Sequence, residues 1–335
     1  MSVILGIETS CDDTAAAVVD EAYVVRSSVI ESSLDQHVVF GGVVPELAGR
    51  AHLVTLPRVV ERALEQAGLD PRRPAIDGVA VTSGPGLVGS LLVGLSAAKA
   101  YAASWDVPLV GVNHLEGHLF APLLEAPDLR WPLLTLLVSG GHSMLVLHES
   151  PGRHRVLGET IDDAAGEAYD KVARWLGLGY PGGPVIDRLA KEGDAAALTL
   201  PKSMTGPGLD FSFSGLKTAV VRSAEKHPNA TTADVAASFQ AAVVEQLTRK
   251  VAVALRDHEV AGIALGGGVA ANSALRASLN DLAAREGLDC HLPSLTMCTD
   301  NAAMIAAAGL AQLRDDGPSL LSLSARPSWP LEELE

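Results

Sequence analysis

The sequence predicts an α/β fold in two lobes, each a mixed sheet flanked by helices. Two observations carry that expectation. Short apolar runs alternate with helical periodicity along most of the 335 residues. A coarse pattern of meander, helix, strand and helix also occurs twice. At 48% hydrophobic residues the chain has enough apolar surface for two cores.

Val3–Glu8, Ala15–Val19 and Tyr23–Ile30 read as strands joined by short turns, an antiparallel meander. Helical spacing follows from Val44 to Ala67, with Pro57 expected to kink it. A strand at Gly78–Thr82, the turn Gly84-Pro85-Gly86, a helix through Ala103 and the run Val107–Val112 complete the first unit. The second opens alike, with strands at Leu133–Val138, Ser143–His148 and Arg155–Glu159. Helices, a long one at Ala233–Arg256, a strand at Gly262–Leu265 and a helix from Asn272 follow. A last helix at Asp300–Leu313 precedes a polar, proline-bearing tail. The expected lobes are 1–112 with 314–335, and 113–313, with a metal and nucleotide site in the cleft between them.

Composition excludes several classes. A net charge of −15 argues against strong autonomous binding to nucleic acid, and 4% aromatic residues against a base-stacking platform. No uninterrupted apolar stretch reaches membrane-spanning length, and the N-terminus has no basic region before its short apolar run. Cys11, Cys290 and Cys298 are few, odd in number and without a C-x-x-C pair, which fits a reducing cytoplasm.

His114-Leu115-Glu116-Gly117-His118 is the strongest local signal. Histidines at i and i+4 share one helix face and form a ready chelate for a transition metal. The helix opens at the end of a strand, where open α/β sheets place ligands. Three glycine or hydroxyl turns also suit close approach to a phosphate: Gly6–Thr14, Leu137–Ser143 and Leu265–Asn272. Neither a P-loop nor a G-x-G-x-x-G fingerprint is present. Two lobes with phosphate loops in each and a late adenosine loop match the actin, Hsp70 and sugar-kinase pattern, the ASKHA fold.

The residues together resemble the tRNA N6-adenosine threonylcarbamoyltransferase family, formerly called O-sialoglycoprotein endopeptidases. The resemblance runs end to end. It rests on Gly6–Thr14, Gly41–Glu46, Ser83–Leu87, Lys99–Leu119, Val138–Ser143 and Asp162–Lys171, then on Gly179–Pro184, Asp210–Lys217, Gly266–Asn272 and Cys298–Asn301. It implies transfer of a threonylcarbamoyl group from its adenylate to the exocyclic amine of the adenosine beside the anticodon, with release of AMP. It implies a divalent metal, Fe²⁺ or Zn²⁺, on His114, His118 and Asp300, with Ser139 close to it. Asp300 also reads as the N-cap of the last helix. Nucleotide and threonylcarbamoyl contacts fall on Leu137, Val138, Ser139, Gly140, Gly141, Asp170, Gly183, Asp187 and Asn272. Glu8 and Asp13 are candidates for proton handling or for an auxiliary site, and Lys99, Lys217 and Arg222 for tRNA phosphate. The implied partners are tRNA, an actin-like paralogue of TsaB type and a small P-loop ATPase of TsaE type, all cytoplasmic.

A metalloprotease would need H-E-x-x-H or its inverted form, and Leu115 and Gly117 occupy the places where the glutamate must stand. A sugar or acid kinase of the same fold would need no histidine pair. Neither would a catalytically silent scaffold.

Overall fold

The computed structural model describes residues 2–126 and 128–334. The chain forms two compact units, Met1–Leu129 with Thr299–Glu335, and Arg130–Cys298. In the first, β1 (Val3–Glu8), β2 (Asp13–Asp20) and β3 (Val25–Ser32) form the meander. Then come α1 (Leu34–Val38), α2 (Pro45–Gln66), β4 (Gly78–Gly84), α3 (Val88–Trp105), β5 (Leu109–Asn113) and α4 (His114–Glu125). The sheet order is β3-β2-β1-β4-β5, with β1 antiparallel to β2 and parallel to β4.

The second unit holds β6 (Leu133–Val138), β7 (Ser143–Ser150), β8 (Arg153–Glu159), α5 (Ala165–Trp175), α6 (Gly182–Ala190), α7 (Ser214–Lys226) and α8 (Thr232–Ala254). It ends with β9 (Gly262–Gly266), α9 (Ser273–Glu286), β10 (Asp289–His291) and α10 (Leu295–Cys298). Its sheet order, β10-β9-β6-β7-β8, is the first sheet's order read from the other end. The duplication expected from sequence is therefore real at the level of topology. α11 (Ala302–Asp315) then returns to the first unit.

The units divide after Leu129 and Cys298, where the sequence reading puts the divisions after Val112 and Leu313. The helices α4 and α11 make the difference, because both pack within the first unit. All ten residues from Ala302 to Ala311 are buried, most of them alanine, so α11 lies close on the sheet. Gly6 makes this possible: a Cβ there would stand 2.8 Å from the Ala306 nitrogen. Among local differences, α2 runs on through Pro57, and β3 starts after Tyr23, whose φ of 60° marks the hairpin turn.

Candidate active site

The strand-to-helix junction at Asn113 builds the centre of the first unit's site. Asn113 lies in extended backbone and caps α4, its side-chain oxygen accepting from the Leu115 N–H at 2.9 Å and the Glu116 N–H at 3.4 Å. The helix therefore begins at His114, and His118 follows one turn later. Their rings stand edge to face with centroids 4.9 Å apart. Asp300 arrives just before α11. The cap there is Asn301, which accepts from the Met304 N–H at 3.0 Å. The N-cap role expected of Asp300 thus belongs to its neighbour, and the Asp300 carboxylate turns to the histidines.

Asp300 Oδ1 lies 3.4 Å from His114 Nε2 and 3.3 Å from His118 Nε2. His118 is fully buried, and among the described residues its ring nitrogens have no hydrogen-bond partner beyond the Asp300 carboxylate near Nε2. Burying an imidazole in this state is costly. The ligand atoms of His114, His118 and Asp300 all lie within 4.8 Å of one another. Ligand bonds of about 2.0–2.1 Å set edges of about 3.3 Å in a tetrahedral shell. The two distances to Asp300 match such edges, and two imidazole nitrogens with one carboxylate suit zinc or ferrous iron. The donor set fits a divalent ion.

Glu8, at the end of β1, supports the group from behind. It is fully buried and accepts from His114 Nδ1 at 2.9 Å and Thr82 Oγ1 at 2.6 Å, and from the Ser10 N–H. The Ser10 hydroxyl adds a second contact to His114 Nδ1 at 3.2 Å. Burial works against charge on all of these groups. The Asp300 and Glu8 carboxylates outweigh it at His114 and hold that imidazole well above its usual range. Burial is likewise overcome at Asp300, where His114 and His118 hold the carboxyl far below the usual range, and at Glu8, where His114 lowers it. The sequence assigns Glu8 to proton handling. In the structure it is an anchor for His114, with no solvent exposure of its own.

Asp13 starts β2, and burial raises its carboxyl to about 6. The Lys99 ammonium, a candidate for tRNA phosphate, donates to the Leu323 carbonyl. Lys217 and Arg222 are exposed on α7.

In the second unit, the loop ends of β6 and β9 come together. The Ser139 N–H donates to the His142 carbonyl at 2.8 Å, which closes the Ser139–Gly141 turn, and Leu137 pairs with Gly266. Gly166, in the first turn of α5, packs on that turn so closely that a Cβ would stand 2.5 Å from the Ser139 carbonyl oxygen. A Cβ on Gly140, Gly141 or Gly183 would meet nothing, so these backbones border open space. Asp170 accepts from the Gly182 N–H at 2.7 Å and so ties α5 to the start of α6. Asp187 accepts from both the N–H and the hydroxyl of Ser273, at 3.1 and 2.8 Å. Asn272 is committed within the protein. It caps α9 and donates to Gln240 Oε1 at 2.7 Å and Tyr169 Oη at 3.2 Å. The second unit thus brings Leu137–Gly141, Asp170, Gly183, Asp187 and Asn272 into one linked set of turns and helix starts.

Thr82, Ser10, Tyr169 and Gln240 escaped the sequence reading, since each acts through a partner distant in the chain. Asn113 was within reach of it, standing as an Asn between a strand and a helix.

Comparison with known proteins identifies the family. The family model TsaD, tRNA N6-adenosine threonylcarbamoyltransferase, matches residues 24–307. A protein of that name from Geobacter sp. (strain M21) is 52% identical over 336 residues, covering 99% of this chain and 97% of its own. One from Anaeromyxobacter dehalogenans (strain 2CP-C) is 52% identical over 339 residues, covering 99% and 100%. Among solved structures, T.kodakarensis HypF superposes with a TM-score of 0.65 at 14% identity, over 94% of this chain and 48% of HypF. Component A of the Acidaminococcus fermentans (R)-2-hydroxyglutaryl-CoA dehydratase does so at 0.54 and 14%, over 94% and 100%. Likeness at that identity speaks to fold alone, and the fold is the two-lobed α/β fold of the ASKHA class. The chain belongs to the family of tRNA N6-adenosine threonylcarbamoyltransferases and is a transferase of tRNA modification.

Proposed function

We propose that this chain moves a threonylcarbamoyl group from threonylcarbamoyl-adenylate to the exocyclic amine of the adenosine at position 37, in tRNAs reading codons that begin with A. The carbon–nitrogen bond forms at the carbamoyl carbon, the bond from that carbon to the phosphate oxygen breaks, AMP leaves, and the amine proton passes to solvent or a base. The observation that carries the reading is the meeting of His114, His118 and Asp300 around one point, with the His118 nitrogens otherwise unserved.

A divalent metal, Fe²⁺ or Zn²⁺, would be held by these three residues. When bound it supplies Lewis-acid polarisation of phosphate and carbamoyl oxygens. Glu8 accepts from His114 Nδ1 and so presents Nε2 to a metal, which would displace the proton held there beside Asp300. The backbones of Gly140, Gly141 and Gly268 border open space that suits phosphate and ribose. Asp170 and Asp187 brace the helix starts beside them. Asn272 acts by fixing α9 and Tyr169, in place of the direct adenine contact expected from sequence.

The proposed partners are tRNA, a paralogue of the same fold (TsaB type) and a small P-loop ATPase (TsaE type), in the cytoplasm. A net charge of −15 supports shared tRNA binding. Among the described residues no helix is long and apolar enough to cross a membrane.

The test is nucleoside mass spectrometry of an adenosine-37 tRNA after incubation with threonylcarbamoyl-adenylate, the protein and its partners. Threonylcarbamoyladenosine is expected with the wild type and not with His114→Ala. No product from the wild type would overturn the reading.

A further inference from the structure

Residues 319–331 bind along the part of the first unit that presents the metal-binding helix, beyond the stretch matched by the family model, which ends at 307. β5 is the edge strand of its sheet. Ser319 meets its open side: the N–H donates to the Leu109 carbonyl at 2.8 Å, and the hydroxyl accepts from the Gly111 N–H at 3.0 Å. These bonds serve groups that an edge strand leaves open. Leu323 next packs over Gly111, at a place where a Cβ would collide with its side chain. The chain then passes the turn after β4, with the Arg326 N–H donating to the Ser83 carbonyl at 2.7 Å and the Pro327 carbonyl accepting from the Gly86 N–H at 3.1 Å. The Arg326 guanidinium stacks 4.3 Å from the Trp329 ring centroid, and Trp329 is 8% exposed.

The last contact reaches the site. The Trp329 carbonyl accepts from Asn113 Nδ2 at 3.1 Å. A carboxamide has one accepting and one donating end. With the nitrogen held by Trp329, the oxygen is directed at the Leu115 and Glu116 N–H groups, where it caps α4. Turned over, the amide would set its NH₂ against both N–H groups.

We propose that segment 319–331 is a strap that fixes the first turn of α4, and through it the direction of His114 Nε2, by holding Asn113 from the Trp329 carbonyl. Trp329 is then a positioning residue for the metal site. This inference rests on the metal reading given above.

The experiment uses the full chain and Co²⁺ as the probe. Trp329→Ala removes the ring that anchors the carbonyl, and Trp329→Phe keeps a ring there. Amide hydrogen exchange at Leu115 and Glu116 is measured on the metal-free protein, and Co²⁺ affinity and visible absorption by titration. The expected result is faster exchange at both amides, a Co²⁺ Kd raised about tenfold and an altered absorption band in Trp329→Ala, with all three restored in Trp329→Phe. Faster exchange confined to the strap, with Leu115 and Glu116 protected as in the wild type, would overturn the proposal. So would unchanged Co²⁺ affinity. Should Trp329→Ala not fold, Asn113→Asp decides: aspartate caps as asparagine does but has no N–H for Trp329. Faster exchange at the Ser328, Trp329 and Leu331 amides with an altered Co²⁺ band is then expected, and wild-type behaviour in both overturns the strap. A wild type that binds no Co²⁺ would sink the metal reading, while exchange in the metal-free protein would still judge the strap.

Discussion

The Glu8 carboxylate and Nδ1 of His114 lie 2.9 Å apart, 106 residues apart in the chain, with Glu8 wholly buried and His114 nearly so. The pair gives His114 a fixed ring orientation before any ligand arrives. Glu8→Gln keeps the shape and removes the charge. Zn²⁺ affinity, measured by chelator competition, is expected to fall about 10- to 100-fold, the range for loss of a carboxylate behind a histidine ligand. Unchanged affinity would mean that Glu8 does not tune the site.

Gly117 sits between the two histidines and faces α11, where a Cβ would stand 2.7 Å from Ile305 Cδ1. Gly117→Ala therefore obliges the Ile305 and Met304 side chains to repack in the fully buried layer between α4 and α11. Thermal unfolding should show a loss of about 1–3 kcal/mol, as for other overpacked sites. Metal affinity should fall with it. Gly215→Ala, where the new methyl meets nothing, is the control and should show neither effect.

His148 in the second unit is buried, with the Trp131 ring 4.5 Å away edge to face, and burial pushes its imidazole down to about 3. The folded state keeps it neutral where the unfolded chain takes up a proton. Its contribution to stability is whole above about pH 6.5 and is lost as pH falls from there towards 3, at up to about 1.4 kcal/mol per pH unit. His148→Phe keeps the aromatic contact and removes the titration. Urea unfolding at pH 7 and pH 4.5 should show a smaller difference for the variant than for the wild type. An equal difference would assign the acid sensitivity to other groups.

Asp162 accepts four hydrogen bonds, from the N–H and hydroxyl of Ser214, the Phe213 N–H and the Ser212 hydroxyl. It thus caps α7 from a distant part of the chain. Asp162→Ala is expected to cost about 1 kcal/mol, as loss of a helix cap does. Amide exchange at Phe213 and Ser214 should rise well before that of the α7 interior. Retained protection at both amides would show that the cap is dispensable.

The sequence disclosed most where one chain segment suffices. β1 and β6 have the bounds expected of them, Val3–Glu8 and Leu133–Val138, because each is the middle strand of its sheet and reads as a continuous buried run. The histidine pair is likewise local, since spacing alone sets both rings on one face. What stayed hidden depends on partners far along the chain. Lys99 looks like a surface cation until the Leu323 carbonyl is brought to it. Asp300 and Asn301 compete for one cap, and only the fold shows that Asn301 takes it. The short elements α1 and β10 carry too few residues for a periodic signal.

Asp300 belongs to the stretch of chain that returns to the first unit after the second is complete. During synthesis from the N-terminus, Arg130–Cys298 can therefore be finished while the first unit still lacks α11 and the Asp300 carboxylate. A nascent chain halted after His118 and before Thr299 holds both histidines without the carboxylate that meets them. The meeting of these three side chains thus falls among the last events in the making of this enzyme, and it reports that the chain has come home.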